Sequence, residues 1–238
     1  MQGLRVFSGK RIRVLAAAVT ACFASVSFAA GVQTLDEVDV TGNYDNSVGV
    51  WDAASQGAVT REGIERRPLT RPGEVLETVP GMIVTQHAGD GKANQYFLRG
   101  YNLDHGTDFA TWVAGMPVNM PTHAHGQGYT DLNFLIPELV SRIQYNKGPY
   151  FAEDGDFASV GSARISYAES LPATTATVTV GQNGYKRALL AGSPEAGAGR
   201  LVYGLEYFYN NGPWDNAEKL EAILRKLPRP AKAGRGLG

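Results

Sequence analysis

Cysteine is almost missing from this chain: Cys22 is the only one, so no disulfide within the chain can staple the fold and stability must come from a core or a closed sheet. No cysteine cluster, phosphate-binding glycine loop or nucleophile elbow occurs, and the sequence therefore makes no positive case for catalysis. A charge excess is lacking too. The net charge is −1, and nothing in it invites nucleic acid. An unbroken apolar run of the roughly 20 residues that a membrane helix needs is also absent.

The longest apolar stretch, Val14 to Phe28, follows Arg5, Lys10, Arg11 and Arg13 and ends at Ala29 and Ala30. That is the layout of a secretory signal peptide, residues 1–29, with cleavage after Ala29 and Ser27 at the −3 position. Val19-Thr20-Ala21-Cys22 also fits a lipoprotein signal, but cleavage there leaves an apolar stub ahead of the mature domain, and the Ala29 site is preferred. Losing the four basic residues leaves 18 basic against 23 acidic residues, a mature charge of −5.

Glycine is abundant, 29 of 238 residues, where about 7% is usual. Many tight turns follow, and with them an α+β or β architecture. Residues 30–48 read as a polar, flexible leader. Within it, Thr34 to Val40 fits either a linker or an extended segment that adds as a strand to another protein's sheet edge.

Residues 49–170 read as one compact α+β unit, a small mixed sheet with short helices. Thr70 is placed to cap a helix with Pro72 in its first turn, Val75, Leu76 and Val79 at core spacing, and Pro80-Gly81 as its end. Strands are expected at Met82 to Gln86, Gln95 to Arg99, Asp108 to Val113 and Arg142 to Lys147, with a brief helix from Pro137 through Val140. Arg99 is expected to be buried and paired with an acidic partner.

After Leu171-Pro172 the pattern becomes strict alternation. Thr175, Thr177 and Thr179 interleave with Ala176, Val178 and Val180, then come strands over Tyr185 to Ala191 and over Leu201 to Tyr209. In the last, Leu205, Tyr207 and Tyr209 share one side, and Gly204, Glu206 and Phe208 the other. These are antiparallel strands of membrane-barrel length over residues 171–215. Three cannot close, and an open edge is not stable in lipid, so the barrel is read as incomplete. Ala217 to Leu227 reads as briefly helical, and residues 216–238 as a low-complexity tail from a truncated or frame-shifted reading of a longer gene.

The sharpest chemical signal is His123-Ala124-His125. Side chains two apart on an extended segment point the same way, so the pair His123 and His125 can share a transition metal, with Asp104, His105 or His87 from nearby loops as a third ligand. Exposed or hydrogen-bonded loop histidines are the competing reading, and a periplasmic metal-binding module or metalloenzyme built on this pair is the rival to the function below.

The stretch RPGEVLETVPGMIVTQHAGDGKANQYFLRGYNLDHGTDFATWVAGMPVN resembles the plug of a TonB-dependent outer-membrane receptor. The helix followed by Val79-Pro80-Gly81, the Phe97-Leu98-Arg99-Gly100 strand end, the Gly115-Met116-Pro117 turn and Arg142-Ile143-Gln144-Tyr145-Asn146-Lys147-Gly148-Pro149 stand in family order. Where the family has aspartate before the glycine of the turn, this chain has Ala114.

The resemblance implies a plug and the first strands of a barrel of about 22 strands. It implies a coupling peptide at Leu35, Asp36, Glu37, Val38, Asp39 and Val40, gripped by a TonB-type periplasmic protein. It further implies import of a scarce ligand such as a siderophore-like metal chelate through the cell outer membrane, contact with lipid in the full-length form, and no cofactor beyond metal carried in the ligand. Ligand contact is expected in the loops 102–107 and 119–131, at Asn102, Asp104, His105, Asn119, His123, His125, Gln127 and Tyr129. The 238 residues alone are expected not to transport.

Overall fold

The computed structural model describes residues 45–46, 49–53, 55–86, 89, 91–197 and 199–226, with backbone alone at 45–53 and 225–226. The signal peptide, Cys22, the leader segment Leu35 to Val40, His87 and residues 227–238 lie outside them. No helix among the described residues is long and apolar enough to cross a membrane.

A seven-stranded mixed sheet runs, in spatial order, through Asp45–Asn46, Gly49–Ala53, Gln56–Thr60, Val140–Lys147, Gly161–Tyr167, Phe109–Val113 and Met116–Pro117. Every pairing is antiparallel except Gly161–Tyr167 against Phe109–Val113, which is parallel. A second sheet joins Met82–Thr85, Gln95–Leu98 and Tyr101–Asn102. Between the sheets lies one apolar core, including Val75, Leu76, Val79, Leu98, Phe109, Leu135, Ile143 and Ile165. The expected strands therefore form, with ends shifted by a residue or two.

Two local expectations change, and three elements had not been expected. The segment after Thr70 winds as a 3-10 helix, Pro72–Thr78, and its N-cap is Arg71. Glu74 explains this: its carboxylate accepts from the Thr70 and Arg71 amides, the Thr70 hydroxyl and the Arg71 guanidinium. Thr70 thus donates its hydroxyl and does not cap. Arg99 is exposed, not buried, and its guanidinium donates to the Ser55 hydroxyl at 3.2 Å. The buried acid belongs instead to Asp154, which is 2% exposed and takes Arg164 at 2.8 Å. Finally, the short helix Arg61–Glu65 and the strands Gln56–Thr60 and Gly161–Tyr167 were not marked by sequence periodicity. Their glycines, alanines and serines dilute the alternation.

Beyond residue 171, four strands pair antiparallel in the order Thr175–Val180, Lys186–Gly192, Tyr203–Asn210 and Leu220–Lys226. The last overturns the helix expected over Ala217 to Leu227 and carries the sheet past residue 215. Alanine, glutamate and leucine favour a helix in isolation, but seven residue pairs with Tyr203–Asn210 satisfy the backbone as a strand. Among the described residues this sheet does not close.

Its two faces differ. Cross-strand partners share a face, so Val178, Ala188, Tyr207 and Ile223 form one row. That face is exposed: Val178 is 79% and Ile223 63% accessible. On the other face Leu189 and Ala191, with Val202 just before the third strand, bury against Ile136 and Leu139. Gly204 makes room there, because a Cβ would stand 2.6 Å from Leu139 Cδ1 and that side chain would have to shift.

An ion network reinforces this seam. Arg187, on the second strand, makes paired hydrogen bonds of 2.5 and 2.8 Å to Glu138 and a third, from Nε at 2.6 Å, to Glu206. Burial raises the Glu138 carboxyl, but the bonds to Arg187 outweigh it and hold the group below its usual value.

Arg187→Met leaves Glu206, 4% exposed at its side chain, buried without its guanidinium. The expected cost is about 3–5 kcal/mol by chemical denaturation, and Glu206→Met added to Arg187→Met should recover most of it. Equal losses in the single and double variants would contradict the pairing.

Glu74 gives a pH dependence. Burial raises its carboxyl, yet the hydrogen bonds from Arg71, the Arg71 charge and the Thr70 amide together bring it below the reference 4.5. Its stabilisation is therefore complete above pH 4.5 and is lost as pH falls through the lower folded-state value. Thermal melts should show Glu74→Gln less stable than the parent at neutral pH, with the gap narrowing below pH 4.5. A gap independent of pH would refute this assignment.

Candidate functional site

The two loops singled out in the sequence, 102–107 and 119–131, meet. Asn102 starts the first. Its side-chain oxygen accepts from the Asp104 amide at 2.9 Å and from Gln95 at 3.1 Å, an Asx turn that puts Asp104 in left-handed backbone at φ 46°. The next residue, His105, is 3% exposed. Its Nδ1 faces the carbonyl oxygens of Ala93 at 2.7 Å and Asn94 at 3.2 Å. Carbonyls only accept, so Nδ1 carries a proton, and the other ring nitrogen, Nε2, stands 3.8 Å from Asp104 Oδ1.

The second loop closes on itself through the Met120 and Tyr129 bridge, with the Met120 amide donating to Tyr129 at 3.0 Å and the Gly128 amide to Met120 at 2.7 Å. The Thr130 amide then donates to the His105 carbonyl at 2.8 Å and joins the loops. Gly128, at φ 82°, is demanded by this junction: a Cβ there would lie 2.9 Å from Thr107 Cα and 3.0 Å from its carbonyl oxygen, neither of which can swing aside.

Asn119, expected to touch ligand, is a buried staple. Its oxygen accepts from the Thr111 amide at 2.7 Å, and its nitrogen donates to the carbonyls of Gly106, Phe109 and Gly128, each at 3.1 Å. Both amide hydrogens and one lone pair of the oxygen are thus engaged in holding the loop.

Tyr129 stands at the centre. Its hydroxyl accepts from the Ala93 amide at 2.8 Å, so Ala93 holds both Tyr129 and His105. The His123 ring stacks on Tyr129, with centroids 4.0 Å apart and planes at 13°. His123 Nδ1 accepts from the His125 amide at 3.1 Å, and His125 turns edge-on to His105 at 4.4 Å between centroids. His125 Nε2 comes within 3.5 Å of Asp104 Oδ2.

The pairing expected of His123 with His125 is thereby replaced. His123 is held against Tyr129, while Asp104, His105 and His125 each offer a ligand atom within 4.8 Å of the others. The extended geometry assumed for the pair fails because the His123 ring folds back to receive the His125 amide. Asn102, Asp104 and Gln127 are exposed, and Tyr129 is half-buried. Ala93 and Asn94 were missed as site residues. They act through backbone carbonyls, which no side-chain pattern reveals.

Against this geometry the comparisons are informative. Residues 52–162 match the model of the TonB-dependent Receptor Plug Domain family. The copper transporter OprC has a similar structure, with a TM-score of 0.52, 18% identity and coverage of 69% of this chain and 25% of that one. The pyoverdine outer membrane receptor FpvA from Pseudomonas aeruginosa PAO1, bound to pyoverdine, gives 0.51 and 19%, covering 68% of this chain and 23% of that one. These identities speak to fold alone, and the chain spans about a quarter of each receptor's length.

Residues 52–162 are a TonB-dependent receptor plug domain. The plug is followed here by antiparallel strands that resemble the barrel strands of those receptors.

Asn119→Ala frees one buried amide and three buried carbonyls at once. A loss on the order of 3 kcal/mol in denaturant unfolding is expected, from about 1–3 kcal/mol per unsatisfied buried group with some relaxation. A change within about 0.5 kcal/mol, typical of an ordinary surface position, would place Asn119 outside the staple role.

Proposed function

We propose that this chain supplies the plug and first barrel strands of an outer-membrane receptor that binds a scarce, metal-bearing extracellular ligand and imports it on energy from a TonB-type periplasmic protein. The signal-peptide layout of residues 1–29 supports export, and the leader segment Leu35 to Val40 is the proposed coupling peptide. The plug family belongs to transport receptors, and the chemistry assigned to this chain is binding and conformational release. The similar solved receptors include a copper transporter and one bound to pyoverdine, which favours a metal or metal chelate as the ligand class.

The observation that carries this reading is the two-faced sheet joined to the plug-family domain. One face, bearing Val178, Leu190, Leu205, Tyr207 and Ile223, is apolar and exposed, whereas the other packs on Ile136 and Leu139 and pairs Arg187 with Glu138. Such a sheet fits a barrel wall whose inner side meets a plug and whose outer side meets lipid. Loops 102–107 and 119–131 are the proposed ligand surface.

Strand addition at the leader needs a backbone amide at each ladder position, and proline removes one. Val38→Pro should weaken capture of the chain by the purified periplasmic domain of a TonB-type protein at least about tenfold, a factor worth about 1.4 kcal/mol, in a calorimetric titration. Unchanged affinity would show that Leu35 to Val40 is not the coupling peptide.

A further inference from the structure

We propose that Asp104, His105 and His125 bind a divalent transition-metal ion of the zinc or copper class directly. The inference rests on the receptor reading above and sharpens it: the cargo at this surface is a cation with open coordination positions, not a ferric chelate whose positions are all filled.

Three features of the structure fit this. The first is donor convergence. Two imidazoles and a carboxylate come from two separate loops to within 4.8 Å of one another, and imidazole nitrogen is the ligand that zinc and copper accept well. Ligands about 2.0–2.2 Å from a tetrahedral zinc stand about 3.4 Å apart. The observed 3.5 Å from His125 Nε2 to Asp104 Oδ2 is close to that, and His105 Nε2 lies 3.8 Å from the other carboxylate oxygen, Oδ1. Both Asp104 and His125 are exposed.

The second feature is the outer support. His105 Nδ1 donates to the Ala93 and Asn94 carbonyls, the arrangement that fixes the tautomer of a metal-binding histidine and raises the basicity of its other nitrogen. Ala93 in turn donates to Tyr129, which carries the His123 ring, and His123 accepts from the His125 amide. Each histidine is thus positioned by a further group. In this scheme His123 is a positioning residue.

Third, the backbone at Asp104 is held in the left-handed region, φ 46°. Aspartate tolerates that region, and the Asn102 side chain holds the turn by accepting from the Asp104 amide. This turn sets Asp104 and His105 side by side. Three protein donors leave a fourth position of a tetrahedral ion for water or for a donor from the carrier that delivers it.

The full chain in detergent micelles, titrated calorimetrically with zinc sulfate and with copper(II) chloride, should bind one ion. His125→Ala and Asp104→Asn, both at exposed side chains, should each weaken binding by more than about tenfold, and His123→Ala by less. Copper(II) electron paramagnetic resonance should show coupling to two imidazole nitrogens in the parent and one in His125→Ala. Melting curves of the variants check that the fold persists. Failure to bind either ion, or affinity unchanged in both His125→Ala and Asp104→Asn, overturns the site. A ferric tris-catecholate probe added to the same preparation separates the two readings. Tight binding of that chelate with no cation binding overturns the site and leaves the receptor reading standing. Cation binding with the two-nitrogen signature, but without capture by a TonB-type protein, supports the site and counts against the receptor reading.

Discussion

The structure turns on the short 3-10 segment Pro137–Leu139, which touches both halves of the molecule. Proline sets its first turn, and the residues around it divide the work. Leu139 fills the space left by Gly204, Glu138 receives the Arg187 guanidinium, and Ile136, just before the helix, joins the apolar cluster with Leu189, Ala191 and Val202. The Leu139 carbonyl also accepts from the Ala168 amide at 2.8 Å, and that of Glu138 from Arg61 at 3.3 Å. One turn thereby fixes where the plug ends and on which side the following strands must bury.

That constraint explains the facing of the four-stranded sheet. Once Leu189 and Gly204 face the plug, the period of two sends Val178, Leu190, Leu205, Tyr207 and Ile223 outward. A row of exposed valine, leucine and isoleucine is an unusual surface in water and an ordinary one in lipid. The ion network at Arg187 fits the same geometry, because the inner face is where a charged pair can be kept from hydrocarbon.

Much of this was legible in the sequence where pattern and packing agree. The strand Thr175 to Val180 was readable because polar and apolar residue types alternate with its period of two, and Val75, Leu76 and Val79 because they are apolar positions that share the buried side of their helix. Leu220–Lys226 was not, since Ala217 to Leu227 has helical composition and only its ladder with Tyr203–Asn210 decides otherwise. At the site, the histidines and Asp104 were visible as residue types, and the meeting of loops 102–107 and 119–131 was expected only as a shared surface. The choice of His105 over His123 as partner of His125 was out of reach. It depends on a stacking contact with Tyr129 and on the backbone carbonyls of Ala93 and Asn94. Ala114 shows the opposite limit. The missing aspartate was evident, but the cost of the change, a non-glycine residue at φ 51° followed by Gly115 at 79°, is a matter of backbone geometry.

The central claim is that the sheet beginning at Thr175 is a lipid-facing wall whose inner side grips the plug. It is tested most directly by single nitroxide labels, placed in a Cys22→Ser background, in chain reconstituted into phospholipid vesicles. Labels at Val178→Cys and Ile223→Cys should collide with oxygen dissolved in the bilayer, while labels at Thr177→Cys and Leu189→Cys should be shielded from it. Equal access of all four to a water-soluble nickel relaxant, with no alternation along the strands, would contradict the account.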